Sequence, residues 1–109
     1  MAKRQRNRPT SFHGVLVLDA LSRGAGYGFE IMHGTDLASG TVYPLLRRFE
    51  AAGWVSSAWE DADHGAAERR PPRRYYRLTD AGRAELAAGL ERLRAHRHVL
   101  DGAAPPANR

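Results

Sequence analysis

Between residues 10 and 24 the apolar positions Phe12, Val15, Leu16, Leu18 and Leu21 form a broad stripe at helical spacing, which predicts a helix laid against a core. Thr10 or Ser11 offers a side-chain acceptor to its first turn, and Gly24 and Gly26 end it. A shorter pattern of Phe29, Ile31 and Met32 predicts a second helix over residues 27–33, stopped by Gly34. Residues 35–37 make a turn. Ser39 then caps a third helix in which Val42, Leu45, Leu46, Phe49 and Ala52 form one buried stripe, with Thr41, Tyr43, Arg47 and Glu50 on the other face. After Gly53 the pattern changes, and residues 54–60 and 73–78 predict two strands joined by a polar loop over 61–72. On the second strand Tyr76 and Leu78 share one face and Tyr75 and Arg77 the other. Thr79 caps a last helix from residue 80 to 98 or beyond, whose Leu86, Leu90, Leu93 and Leu100 fall on a heptad-like spacing interrupted by Arg97.

Two helices meeting across a three-residue turn, followed by a hairpin, predict a mainly α fold with a small β-wing: a winged helix-turn-helix with a C-terminal dimerisation helix. The expected organisation is a flexible basic arm over residues 1–9, a DNA-binding domain over 10–79, a dimerisation helix over 80–100 and a disordered tail over 101–109. At 109 residues the chain is one small domain. Its leucine stripe runs past that domain, so Leu86, Leu90, Leu93 and Leu100 are expected to pack against the same helix of a second copy.

Charge narrows the partner. The chain has 17 Lys and Arg against 12 Asp and Glu and a pI near 10.4, a balance that attracts polyanions, nucleic acid before membrane. Gly40 lets the backbone approach a phosphate at the positive end of the third helix, and the Thr41 hydroxyl and Tyr43 phenol can then reach base edges or phosphate oxygens of double-stranded DNA. In the loop between the strands, Arg69, Arg70, Arg73 and Arg74 surround a Pro71–Pro72 stiffener and are expected to contact phosphates or the minor groove.

Other chemistries find little support. Without cysteine there is no disulfide or thiolate metal site. The candidate nucleophiles are Ser and Thr only, and no motif places a base beside them, so no enzyme is expected. His96 and His98, two apart on a helix, point to different sides and do not share a metal. No apolar run approaches the roughly 20 residues of a membrane span, and a cytoplasmic protein that uses no cofactor is expected. The aromatic residues Phe12, Trp54, Trp59 and Tyr76 either line an effector cavity at a dimer interface or fill the core. Two further readings are a basic RNA-binding or architectural protein, and a protein-interaction module that has lost DNA binding.

The blocks GYGFEI, SGTVYPLLRRFEAAGWV and RPPRRYYRLTDAGRAEL, in that order over residues 9–95, resemble those of PadR-type transcriptional regulators, in the small branch with one C-terminal helix. The resemblance implies a homodimeric repressor of a palindromic operator, often released by a small aromatic or drug-like effector. It also implies that Ser39, Gly40, Thr41, Tyr43 and Arg47 lie on the recognition helix, and that residues 69–74 lie on the wing.

Overall fold

The computed structural model describes residues 8–103. The expected arm and tail therefore lie mostly outside the described residues. Five principal helices and a two-stranded antiparallel hairpin follow the order α1 (Phe12–Ser22), α2 (Gly28–Thr35), α3 (Ser39–Ala52), β1 (Val55–Trp59), a short α4 (Ala62–Ala67), β2 (Arg74–Leu78) and α5 (Asp80–His98) if α4 is counted with the others. The strands pair from Val55 opposite Leu78 to Trp59 opposite Arg74.

Helix α1 is buried on more than the expected stripe. Val15, Val17, Leu18, Ala20 and Leu21 are all inside, as befits a helix that packs on α2, α3, α5 and β2 at once. Ser11 caps it by accepting from the Gly14 N–H. Phe12 departs from the expectation. At the first position of the helix it stands beside Leu90 and Leu93 near the end of the chain and is 55% exposed. From α3 come Val42, Leu46 and Phe49, all fully buried, while Trp54, Val55 and Leu86 close the core.

Two helix ends differ from the sequence reading. Helix α2 runs through Gly34 and stops at Asp36, which takes the left-handed conformation (φ 61°) and donates its N–H to the Met32 carbonyl; a short Asx side chain tolerates that conformation almost as glycine does. The N-cap of α3 is Ala38, not Ser39: its extended backbone places its carbonyl to accept from Thr41 and Val42. The expected loop over 61–72 also contains α4, capped by the Asp61 carboxylate accepting from Asp63 N–H.

Helix α5 begins as the sequence predicts. The Thr79 hydroxyl accepts from the Gly82 N–H at 3.0 Å and donates to the Gly53 carbonyl at 2.6 Å, tying the end of α3 to the start of α5. Beyond His98 a loosened helical turn continues over Val99–Ala103. Gly82 sits so close to the residue before β1 that a Cβ would collide with the Trp54 carbonyl oxygen. Backbone cannot rotate away as a side chain can. Gly82→Ala is therefore expected to cost about 1–3 kcal/mol, read as a lower urea midpoint at unchanged m; a midpoint equal to the parent's would refute this close approach.

Candidate nucleic-acid interface

With Val42, Leu46 and Phe49 turned inward, the rows Ser39, Tyr43, Arg47 and Gly40, Pro44, Arg48 face outward along α3. No side chain caps the helix start, so its leading backbone N–H groups are left for an outside acceptor. Above Gly40 there is open space, with nothing within 4 Å of where a Cβ would stand. An anion can approach that helix end closely. Pro44 adds no donor, and without its N–H the Gly40 carbonyl has no helical partner. Arg47 and Arg48 are both exposed and make no ion pair among the described residues.

Tyr43 is less free than the sequence suggests. Its ring lies across the start of α2, and its hydroxyl fills the place where a Gly28 Cβ would be. It remains 37% exposed, so one edge is still open to solvent. Thr41 is half-buried at the same helix end.

The four wing arginines have four different environments. Arg69 is exposed, with a positive φ of 61°, at the tip. Arg70, expected at DNA, has a carboxylate partner within the wing. Its guanidinium grips Glu60 with both terminal nitrogens, at 2.6 and 2.9 Å, and its side chain is only 20% exposed. It closes the wing on itself. Arg73 lies 4.0 Å over the Tyr27 ring and has no carboxylate partner among the described residues. Arg74 reaches Glu50 of α3 at 3.6 Å and passes over the Trp59 ring at 5.3 Å. Glu50 also accepts from the Ser57 hydroxyl at 2.6 Å, fastening the recognition helix to the hairpin. At the other side, the Tyr76 N–H donates to the Gly26 carbonyl and Tyr75 stands edge-on to Tyr27 at 5.5 Å.

The Arg70 fork holds the Glu60 carboxyl at a pKa of about 2, against burial that pushes it the other way, with help from the Arg73 backbone N–H. Because this pKa lies below the ordinary 4.5, the clamp's contribution is complete above that value and is lost as pH falls from there toward 2. The Glu60 carboxyl carbon is expected to titrate near pH 2 by NMR. A midpoint above 4 would show that the wing clamp is not formed in solution.

These elements enclose an open groove of about 560 Å³ between the start of α2, α3 and the wing, walled by Tyr27, Phe29, Tyr43, Trp59 and Tyr76 together with Arg73 and Arg74. Burial raises the Tyr76 phenol's pKa, so it stays protonated. A second depression of about 590 Å³ is lined by Phe12, Leu90, Leu93 and Leu100 together with Arg94, His96 and Arg97. The four aromatics of the sequence reading thus separate: Trp54 is in the core, Phe12 is on the α5 face, and Trp59 and Tyr76 are at the wing groove. Leu86 belongs to the chain's own core rather than to an open face, at 8% exposure, whereas Leu90 and Leu93 are half-buried and Leu100 is 83% exposed. The sequence reading counts Arg48 with Arg47 as basic charge on α3 and Phe29 as an apolar helix position, and gives no site role to Tyr27 or Glu60, whose places beside Arg73 and Arg70 have no local signature.

A helix-turn-helix with an outward basic helix and a clamped β-hairpin beside it defines the winged-helix class of DNA-binding proteins. Residues 17–88 match the family described as the Transcriptional regulator PadR-like family. Over 93 residues the chain is 39% identical to the transcriptional regulator Rv3488 of Mycobacterium tuberculosis, covering 83% of this chain and 71% of that protein. Among solved structures it is similar to smu.1704 from Streptococcus mutans, with a TM-score of 0.72 and 25% identity over 90% of this chain and 92% of that one. It is also similar to a PadR family transcription regulator from Clostridium difficile, with a TM-score of 0.73 and 23% identity over 87% of this chain and all of that one. The chain belongs to the PadR-like family and is a DNA-binding transcriptional regulator. No described helix is long and apolar enough to cross a membrane.

Proposed function

We propose that the protein is a homodimeric repressor that binds a palindromic operator through α3 and is released by a small molecule. The observation that carries the DNA contact is the uncapped, open start of α3, flanked by the unpaired Arg47 and Arg48. Backbone N–H groups at Ser39 and Gly40 take a phosphate, Thr41 and Arg47 read base edges, and Arg48 and Arg69 neutralise neighbouring phosphates. Tyr43 positions the helix start by its seat on Gly28 and offers its open edge to the backbone. Arg70 has a different part: it holds the wing in shape. Homodimerisation is supported by the apolar face of α5, where Leu90, Leu93 and Leu100 continue outward from the core beside Phe12. Two copies joined there would present two recognition helices to a two-fold symmetric site.

A titration against duplex DNA from the protein's own upstream region, with a scrambled duplex in competition, tests the reading. Thr41→Ala or Arg47→Ala is expected to weaken operator binding by about 1–3 kcal/mol and to leave the scrambled duplex nearly unaffected. Arg69→Ala should weaken both and reduce the salt slope by about 0.9. Equal losses on the two duplexes for the helix variants would instead favour a protein that binds nucleic acid without sequence preference.

A further inference from the structure

The side of α5 that carries the leucines is not uniformly apolar. His96 stands three residues after Leu93 and four before Leu100, so it shares their side of the helix. It borders two adjoining depressions at once: the one of about 590 Å³ beside Phe12, and a smaller one of about 230 Å³ against the start of α1, where Thr10, Val15 and Gly89 form the wall. The charge around it has one sign. Arg94 and Arg97 border the larger depression and Arg92 the smaller, and no carboxylate lines either. Beyond its first turn α5 carries two carboxylates, and both are engaged: Glu91 holds Arg94 at 2.8 Å, and Glu85 holds Arg92 at 3.1 Å and accepts from the Thr10 N–H at 3.0 Å. From α1 the titratable group at this edge is His13, whose ring centre lies 6.0 Å from that of Phe12. His98 lines neither depression. The His96 ring is exposed and has no hydrogen-bond or ion-pair partner among the described residues.

We infer that this face is a pH-sensitive interface between two copies of the chain, closed while His96 is neutral and opened when His96 takes up a proton, an inference that rests on the α5 pairing proposed above. A histidine changes charge between about pH 5 and 8, which the leucines beside it cannot do. In a two-fold pairing the face meets its own copy, so the basic borders of both chains come together and two imidazoles enter at once. A neutral imidazole fits among leucines as a ring with a polar tip. An imidazolium must give up water there and adds to the like charge of three arginines per copy, and both effects oppose the charged form in the pair. Separated chains therefore hold more protons than paired ones, and acid favours separation. Acidification would then weaken the grip on a two-half-site operator while leaving α3 and the wing as they are. Salt has a distinctive effect as well. Repulsion between like charges is screened over about 8–10 Å at moderate ionic strength, so added salt tightens the pairing in acid while it weakens the hold on DNA.

Sedimentation velocity of the full chain over a concentration series gives the dimer dissociation constant at about pH 8 and at about pH 5.5, on either side of the histidine range. The constant should rise on the order of tenfold or more on acidification, with helical content by circular dichroism unchanged, and should fall again when salt is added in acid. His96→Gln should pair with one constant at both pH values. His96→Lys, charged throughout, should show at the higher pH the weak pairing that the parent shows in acid. His98→Gln and His13→Gln should behave as the parent does. Operator affinity should drop in the same pH window for the parent and not for His96→Gln. A parent that pairs equally tightly at both pH values overturns the proposal. So does a pH dependence that survives His96→Gln, or one that is abolished by His98→Gln or His13→Gln. Monomers at the higher pH at every concentration would remove the α5 pairing itself and the switch with it, so the two failures are told apart by the higher-pH series alone.

Discussion

Phe49→Ala is expected to lower the free energy of unfolding by about 3–5 kcal/mol, the usual cost of removing a buried phenyl ring. Phe49 is fully buried, packs 5.4 Å from the Trp54 ring between centroids, and lies where a Cβ on Gly14 of α1 would meet it at 3.0 Å. Two of its neighbours, the α1 backbone at Gly14 and the Trp54 indole, are ill placed to collapse into the space. A chain of 109 residues has about 5–16 kcal/mol in total at about 0.05–0.15 kcal/mol per residue, so the variant loses a large share of its stability. Thermal unfolding should fall by about 15–30 °C, compared at equal protein concentration because association contributes to apparent stability. A loss below about 1 kcal/mol would mean that α3 is not packed on α1 as described. The functional consequence follows, since Phe49 and Arg47 are on one helix: the side that fills the core sets the direction in which the other side points.

Leu90→Glu combined with Leu93→Glu should produce monomers by light scattering and reduce operator affinity on the order of 10²-fold or more, since the second half-site is then no longer delivered by a tethered partner. The pair is chosen because both leucines are half-buried at the margin of the core, whereas Leu86 lies inside it. Helical content by circular dichroism should therefore persist, with a moderately lower midpoint. An unchanged dimer mass would remove α5 from the interface and require another surface for pairing.

Much of the fold was legible in the chain because apolar spacing reports burial directly. The Val42, Leu46, Phe49 series predicts α3, and the Thr79 cap predicts the start of α5. What escaped was decided by geometry without an apolar signature. Helix α4 has no apolar stripe; it forms from an Asp61 cap, alanines, and a Gly65 at which a Cβ would stand only 3.1 Å from the Pro72 nitrogen. Ser39 has the chemistry of a cap, but Ala38 has the conformation, and the backbone decides. The site was legible as a class of residues and less so as roles. Four arginines in one loop look alike in sequence, while in space a carboxylate, a tyrosine ring and α3 each claim one. Glu60 is separated from Arg70 by ten residues, which is why that pairing has no local signature.

The bonds made by the Thr79 hydroxyl have a mechanical corollary. One oxygen joins Gly53, where the recognition helix ends, to Gly82, where α5 gets under way. In the proposed dimer α5 would be the axle and α3 the hand fixed to it. The separation of the two reading heads would then be set by the angle at which the axles cross, and a few degrees of rotation there would move each head along the duplex by a distance that grows with the length of the arm.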